Sequence, residues 1–178
     1  MPFPKPVYFL EAYSNAIFIE TGSHQGDGIQ QALDAGFQCI YSVELSEVDF
    51  GFCTHRFRHY RDRVHLVNED SRSFLEGLLP TVTTQITFWL DAHECGSGSG
   101  CAEDCPLWAE LRCIAAHPIK RHTILIDDVR LFGSPSWPSK EQAEELIRGI
   151  NRKYLIEYRD SADYGGDILA ATAPLKRP

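Results

Sequence analysis

The sequence predicts an α/β protein: a doubly wound, mostly parallel seven-stranded sheet with helices on both faces and a C-terminal antiparallel hairpin. Three observations predict it. Apolar runs of strand length alternate five times with amphipathic stretches of helix length, the pattern of parallel strands joined by right-handed helical crossovers. An acidic residue stands at or just past the end of each of those five runs: Glu20, Glu44, Asp70, Asp91 and the pair Asp127-Asp128. The last two strand-like runs are separated by a turn around Asp163-Tyr164-Gly165-Gly166 rather than by a helix, so they pair as a hairpin.

Residues 1–15 read as an N-terminal arm and residues 16–178 as a single domain. Pro2, Pro4 and Pro6 exclude a helix at the start, while Tyr8 to Tyr13 has room for one helical turn over the sheet edge. The first strand covers Ala16 to Glu20, and the helix after it runs from about Gly26 to Ala35, closed by Gly36 as a left-handed cap. Gln38 to Glu44 is the second strand. Ser46 then caps a helix through about His59, with Glu47 and Asp49 in the first turn, where the helix dipole favours negative charge. Val64 to Val67 is the third strand, and the helix after Asp70-Ser71 uses Phe74, Leu75, Leu78 and Leu79 before stopping at Pro80. Gln85 to Leu90 is the fourth, almost wholly apolar. A glycine- and serine-rich loop from His93 to Cys105 follows, and Pro106 opens a helix whose apolar face is Leu107, Trp108, Leu111, Ile114 and Ala115. Thr123 to Ile126 is the fifth strand, Ser139 caps a helix through Ile150, and Leu155 to Arg159 pairs with Ile168 to Thr172.

Composition narrows the function classes. A chain of 178 residues suits one domain that buries about 70% of its unfolded surface. No apolar run is long enough to span a membrane and none has the layout of a secretory signal, so a soluble cytoplasmic protein with no membrane partner is expected. The net charge is −8 and the basic residues are scattered, apart from His55, Arg56, Arg58, Arg61 and Arg63, which read as the solvated face of a helix. Such a surface repels polyanions, which disfavours nucleic acid as a partner. Six cysteines without an export signal read as reduced thiols.

In a doubly wound sheet, ligands sit beyond the carboxyl ends of the strands, so the acids at those ends gather on one edge. Singly, each could be a helix cap. Together, at five successive strand ends, they describe a binding site. Beside them lies the loop E-T-G-S-H-Q-G-D-G, from Glu20 to Gly28. Its glycines let backbone approach a ligand closely, and it opens a helix N-terminus. The dinucleotide fingerprint G-x-G-x-x-G is not met, because Gln31 stands where its third glycine would be, which disfavours NAD and an oxidoreductase.

This loop resembles motif I of the class I S-adenosylmethionine-dependent methyltransferases, and the terminal hairpin resembles the end of their seven-stranded sheet; the resemblance spans Phe18 to Ala173. It implies that Glu20, Thr21, Gly22, Ser23, Gly26 and Gly28 bind the cofactor, with the glycines against its methionine part. It also implies that Glu44 takes the ribose hydroxyls and that Asp70 with Ser71 faces the adenine amine. Glu69 stands where relatives often have glycine.

FWLDAH and ILIDDV end neighbouring strands about 4.8 Å apart, so Asp91, Asp127 and Asp128 share one space. Three carboxylates that close repel strongly unless they are protonated or neutralised, and a hard divalent cation with oxygen ligands is the usual remedy. The arrangement resembles the magnesium site of the metal-dependent catechol and sugar O-methyltransferase groups. The resemblance implies Asp91 as a catalytic residue that also borders the cofactor. His93, two residues beyond Asp91, is the candidate general base; relatives often place one three residues after the acid, where this chain has Glu94, so the base is His93 or neither. A rival reading takes His93, Cys95, Cys101 and Cys105 as zinc ligands, although no C-x2-C pair occurs. The expected reaction is methylation of a small hydroxylated acceptor, a sugar or catechol; the alternative from another class is a module that binds the cofactor without chemistry. Closure of the pocket falls to the 93–105 loop, the 133–139 loop or a second copy in a homodimer. Trp137, in that second loop, is either exposed near the acceptor or packed on the loop.

Overall fold

The computed structural model describes residues 8–92 and 105–174. Its strands are β1 (Ile17–Thr21), β2 (Cys39–Glu44), β3 (Val64–Asn68), β4 (Ile86–Leu90), β5 (Thr123–Ile126), β6 (Leu155–Arg159) and β7 (Ile168–Thr172). They form one sheet in the order β3-β2-β1-β4-β5-β7-β6. The first five run parallel, and β7 is antiparallel to both β5 and β6. The predicted doubly wound sheet with its terminal hairpin is therefore observed.

Period-two alternation along the strands builds two cores. Ile19, Phe88, Leu90, Ile124 and Ile126 pack with α4 (Ser71–Leu78), α5 (Leu107–Ala116) and α6 (Lys140–Ile150) on one face. Phe18, Ile40, Trp89 and Leu125 pack on the other, with α2 (Asp27–Asp34) and α3 (Glu47–Arg56). Leu10, from the one-turn helix α1 (Tyr8–Glu11), is buried in this second core, and the Asn15 side chain donates to Thr87 Oγ1 at 2.8 Å. The described part of the arm is thus docked rather than free. The prolines at 2, 4 and 6 lie outside the described residues.

α4 ends at Leu78 with Leu79 as its cap, just short of Pro80 as expected, and Pro80 itself sits inside a 3₁₀ turn, Leu79–Thr81, where proline at an early position forfeits no internal hydrogen bond. One expectation needs correction: the basic cluster is not one helix face, since α3 ends at Arg56. Arg56 reaches back to the Gln25 carbonyl (2.6 Å) and Asp27 (2.8 Å), Arg58 bonds the His55 carbonyl (3.0 Å), and Arg63 donates to the Phe37 carbonyl.

Register decides where the strand ends fall. Thr21 pairs with Val43 on one side and Leu90 on the other, Glu44 pairs with Asn68, and Leu90 pairs with Ile126. The Asp91 N–H then donates to the Thr21 carbonyl at 3.0 Å and the Asp127 N–H to the Leu90 carbonyl at 3.1 Å. The ladder therefore continues one bond past the strands and delivers Asp91 and Asp127 side by side.

Candidate functional site

The loop after β1 is held by its own side chains. Glu20 is buried, its Oε2 accepts from Ser42 Oγ at 2.5 Å, and the Ser42 and Ser23 hydroxyls lie 2.6 Å apart. The N–H groups of Gly22 and Ser23 both donate to the Val43 carbonyl, at 3.0 and 3.2 Å. Gly22 has φ +82° and a Cβ there would stand 2.5 Å from the Asp91 carbonyl oxygen. Gly26, with the same φ, would press a Cβ into the Phe57 ring, and Gly28 would press one into the Glu20 carboxylate. Each glycine of the motif thus answers to a protein neighbour: β4's exit, α3 and Glu20 respectively. The tight turn is what presents the start of α2 to the strand edge.

Glu44 ties this loop to α3. Its Oε2 accepts from the His24 N–H at 2.7 Å and its Oε1 from the Ser46 N–H at 2.8 Å. Each oxygen keeps a further lone pair for a ligand hydroxyl. Asp70 caps α4 and is clasped by Arg72, which donates through its backbone N–H (2.9 Å), Nε (2.8 Å) and Nη2 (2.7 Å). The Arg72 side chain beside it holds this carboxyl below its usual range. Sequence reasoning placed Asp70 against a ligand amine; its oxygens already serve Arg72 in addition.

Glu110 escaped the sequence reading. It is fully buried in the first turn of α5, facing the hydroxyls of Ser71 and Thr21. Burial pushes its carboxyl up to about 7 against the pull of those two hydroxyls. One signal was available: at position 110 it falls on the same helix face as Leu107, Leu111 and Ile114, where a carboxylate is out of place.

At the end of β4 and β5, Asp91, Asp127 and Asp128 each offer an oxygen within 4.8 Å of the others, Asp127 and Asp128 buried and Asp91 half-buried. The Trp89 indole donates to Asp91 Oδ2 at 3.3 Å, and Asp127 Oδ1 accepts from the Asp128 N–H at 3.0 Å. Asp128 adopts a left-handed conformation (φ +60°) and caps the 3₁₀ turn Val129–Leu131. Arg130 in that turn bridges Asp128 and Asp167, a residue just before β7 that the sequence did not single out. Burial opposes the guanidinium charge, but the bonds and charges of the two aspartates outweigh it and raise the Arg130 pKa. Two of the three carboxylates are buried and all converge, and among the described residues no other His, Cys, Asp and Glu group does so. An all-oxygen donor set of this kind fits a hard divalent cation.

His93, Cys95 and Cys101 lie outside the described residues. Cys105, the fourth of the rival zinc set, is a half-buried thiol pushed up to about 11 by burial. Trp137 is half-buried beside Phe132, ring centroids 6.0 Å apart, beyond β5.

No protein-family model matches the chain, and no curated protein matches it in sequence. Solved structures do match. A methyltransferase of Podospora anserina bound to S-adenosylhomocysteine is 12% identical, with 94% of this chain and 76% of that one covered and a TM-score of 0.64. An O-methyltransferase of Bacillus cereus, also bound to S-adenosylhomocysteine, is 12% identical over 93% of this chain and 78% of that one, TM-score 0.62. A Clostridium thermocellum protein named as a candidate rRNA-methylase is 9% identical over 93% and 94%, TM-score 0.65. The chain therefore has the fold of the S-adenosylmethionine-dependent methyltransferases.

Proposed function

We propose that the protein is an S-adenosylmethionine-dependent methyltransferase that methylates a hydroxyl oxygen of a small acceptor, a sugar or catechol, with help from a divalent metal such as Mg²⁺. One observation carries the reading: the register of β1, β4 and β5 brings a glycine turn that opens a helix and three converging carboxylates to one edge. The loop from Glu20 to Gly28 cradles the donor, and Glu44, already oriented by two N–H groups, offers its remaining lone pairs to ribose hydroxyls. Asp91, Asp127 and Asp128 hold the metal, whose chemistry when bound is to lower the pKa of an acceptor hydroxyl. His93 takes the proton. A surface of net charge −8 disfavours the polyanionic acceptor that an RNA would be.

Calorimetry with S-adenosylhomocysteine, paired with a methyl-transfer assay over sugars and catechols, tests this. Glu44→Ala should weaken cofactor binding by about tenfold, the loss of one charge-assisted contact. Asp91→Ala should bind cofactor nearly as the wild type does and transfer nothing. Full activity of Asp91→Ala with a chelator present would remove the metal from the mechanism. Binding of S-adenosylmethionine with no turnover on any acceptor would favour the non-catalytic module. Binding of NAD instead would return the oxidoreductase.

A further inference from the structure

A positive charge is built into the acidic edge. Arg130 Nη1 donates at once to Asp128 Oδ1 and to Asp167 Oδ2, the latter at 2.6 Å. The Arg130 backbone N–H donates to the other Asp167 oxygen at 2.8 Å, and the Val129 N–H donates to the Asp167 carbonyl at 2.9 Å. Asp167 is buried, and the Tyr164 ring covers the guanidinium with its centroid 4.7 Å from Cζ. The guanidinium is therefore fixed from three sides. One of those sides, Asp128, is also a member of the converging carboxylate trio.

We propose that Arg130 is the resident cation of this edge: it competes with a divalent metal for Asp128 and so holds the metal affinity of the site down. The inference rests on the metal reading above. A fixed positive charge next to the trio repels a second cation and keeps one Asp128 oxygen engaged. Because Asp167 and Tyr164 anchor Arg130, it does not swing aside when metal arrives, and the outcome is competition rather than rearrangement.

Mn²⁺ titrated into the full chain, followed by calorimetry and electron paramagnetic resonance, decides the matter. Arg130→Gln should tighten Mn²⁺ binding by about tenfold (about 1.4 kcal/mol). Arg130→Lys retains the charge and should stay within about twofold of the wild type. Asp91→Asn should lose Mn²⁺ binding. Equal affinities for Arg130→Gln and wild type, with binding lost in Asp91→Asn, overturn the competition and leave the metal reading standing. A Lys variant that binds as tightly as the Gln variant also overturns it, since charge would not be the cause. Undiminished binding in Asp91→Asn, or none in any variant, overturns both. If Arg130→Gln does not fold, Tyr164→Ala serves instead: Tyr164 is exposed, its removal loosens one side of the clamp, and Mn²⁺ should tighten by about threefold. No change there overturns the proposal.

Discussion

Glu110 shows how one buried carboxyl writes itself into the pH dependence of the whole protein. Its folded pKa is raised from 4.5 to about 7, so the native state holds a proton that the unfolded state has released. The associated stability is complete below pH 4.5 and is lost as pH rises through about 7. Asp70, Cys105 and Cys113 lie within its electrostatic reach, and Arg72 acts in the opposite direction. His122 runs the other way. Burial depresses it to about 4, its Nδ1 accepts from the Ile86 N–H at 3.1 Å and its Nε2 lies 2.9 Å from His117 Nδ1, so its stability is complete above 6.5 and lost on acidification towards 4. The two windows overlap with opposite sign, and only a variant separates them. Urea unfolding at pH 4.5 and pH 8 should show Glu110→Gln gaining about 3 kcal/mol relative to wild type between those two conditions. An unchanged difference would mean that Glu110 ionises as an ordinary carboxyl.

Among the elements, the turn after β1 is the least tolerant. Gly22→Ala imposes a left-handed strain and places a methyl group 2.5 Å from the Asp91 backbone oxygen, which neither strand can vacate without breaking the β1–β4 register. A loss of about 3 kcal/mol is expected from strain and overpacking together, read as a lower urea midpoint. A wild-type midpoint would place the turn elsewhere.

The same turn illustrates what was legible. Apolar runs, caps and terminal acids are local signals, and they located β5, the Ser139 cap of α6 and both strands of the hairpin to the residue. Asp91, Asp127 and Asp128 followed from strand ends plus a parallel sheet. Partnerships made across the chain left no such mark: Glu110 with Thr21 and Ser71, and Arg130 with Asp167. The glycines were visible, but their neighbours Asp91, Phe57 and Glu20 were not, because a close approach depends on packing between elements rather than on spacing along the chain.

At the scale of the whole molecule, fold and function separate cleanly in a thermal experiment. A ligand that binds only the native state at 100 times its Kd adds about 2.7 kcal/mol, which for a domain of this size raises Tm by roughly 5–10 °C. S-adenosylhomocysteine should produce that shift in the wild type and a smaller one in Glu44→Ala at equal concentration. NAD should produce none. Absence of any shift with S-adenosylhomocysteine would leave the fold without its expected cofactor.

The position of β7 has a consequence for how the protein comes into being. It is the last of the described strands in chain order, yet it is laid between β5 and β6, and the residue before it, Asp167, meets Arg130. A nascent chain stopped before Asp167 would have made its glycine turn and all three converging carboxylates. It would still carry an unzipped β5 edge and a guanidinium with one anchor missing. Synthesis therefore finishes the sheet and the acidic edge in the same step, and a truncated product advertises itself by its open strand before it can imitate the finished site.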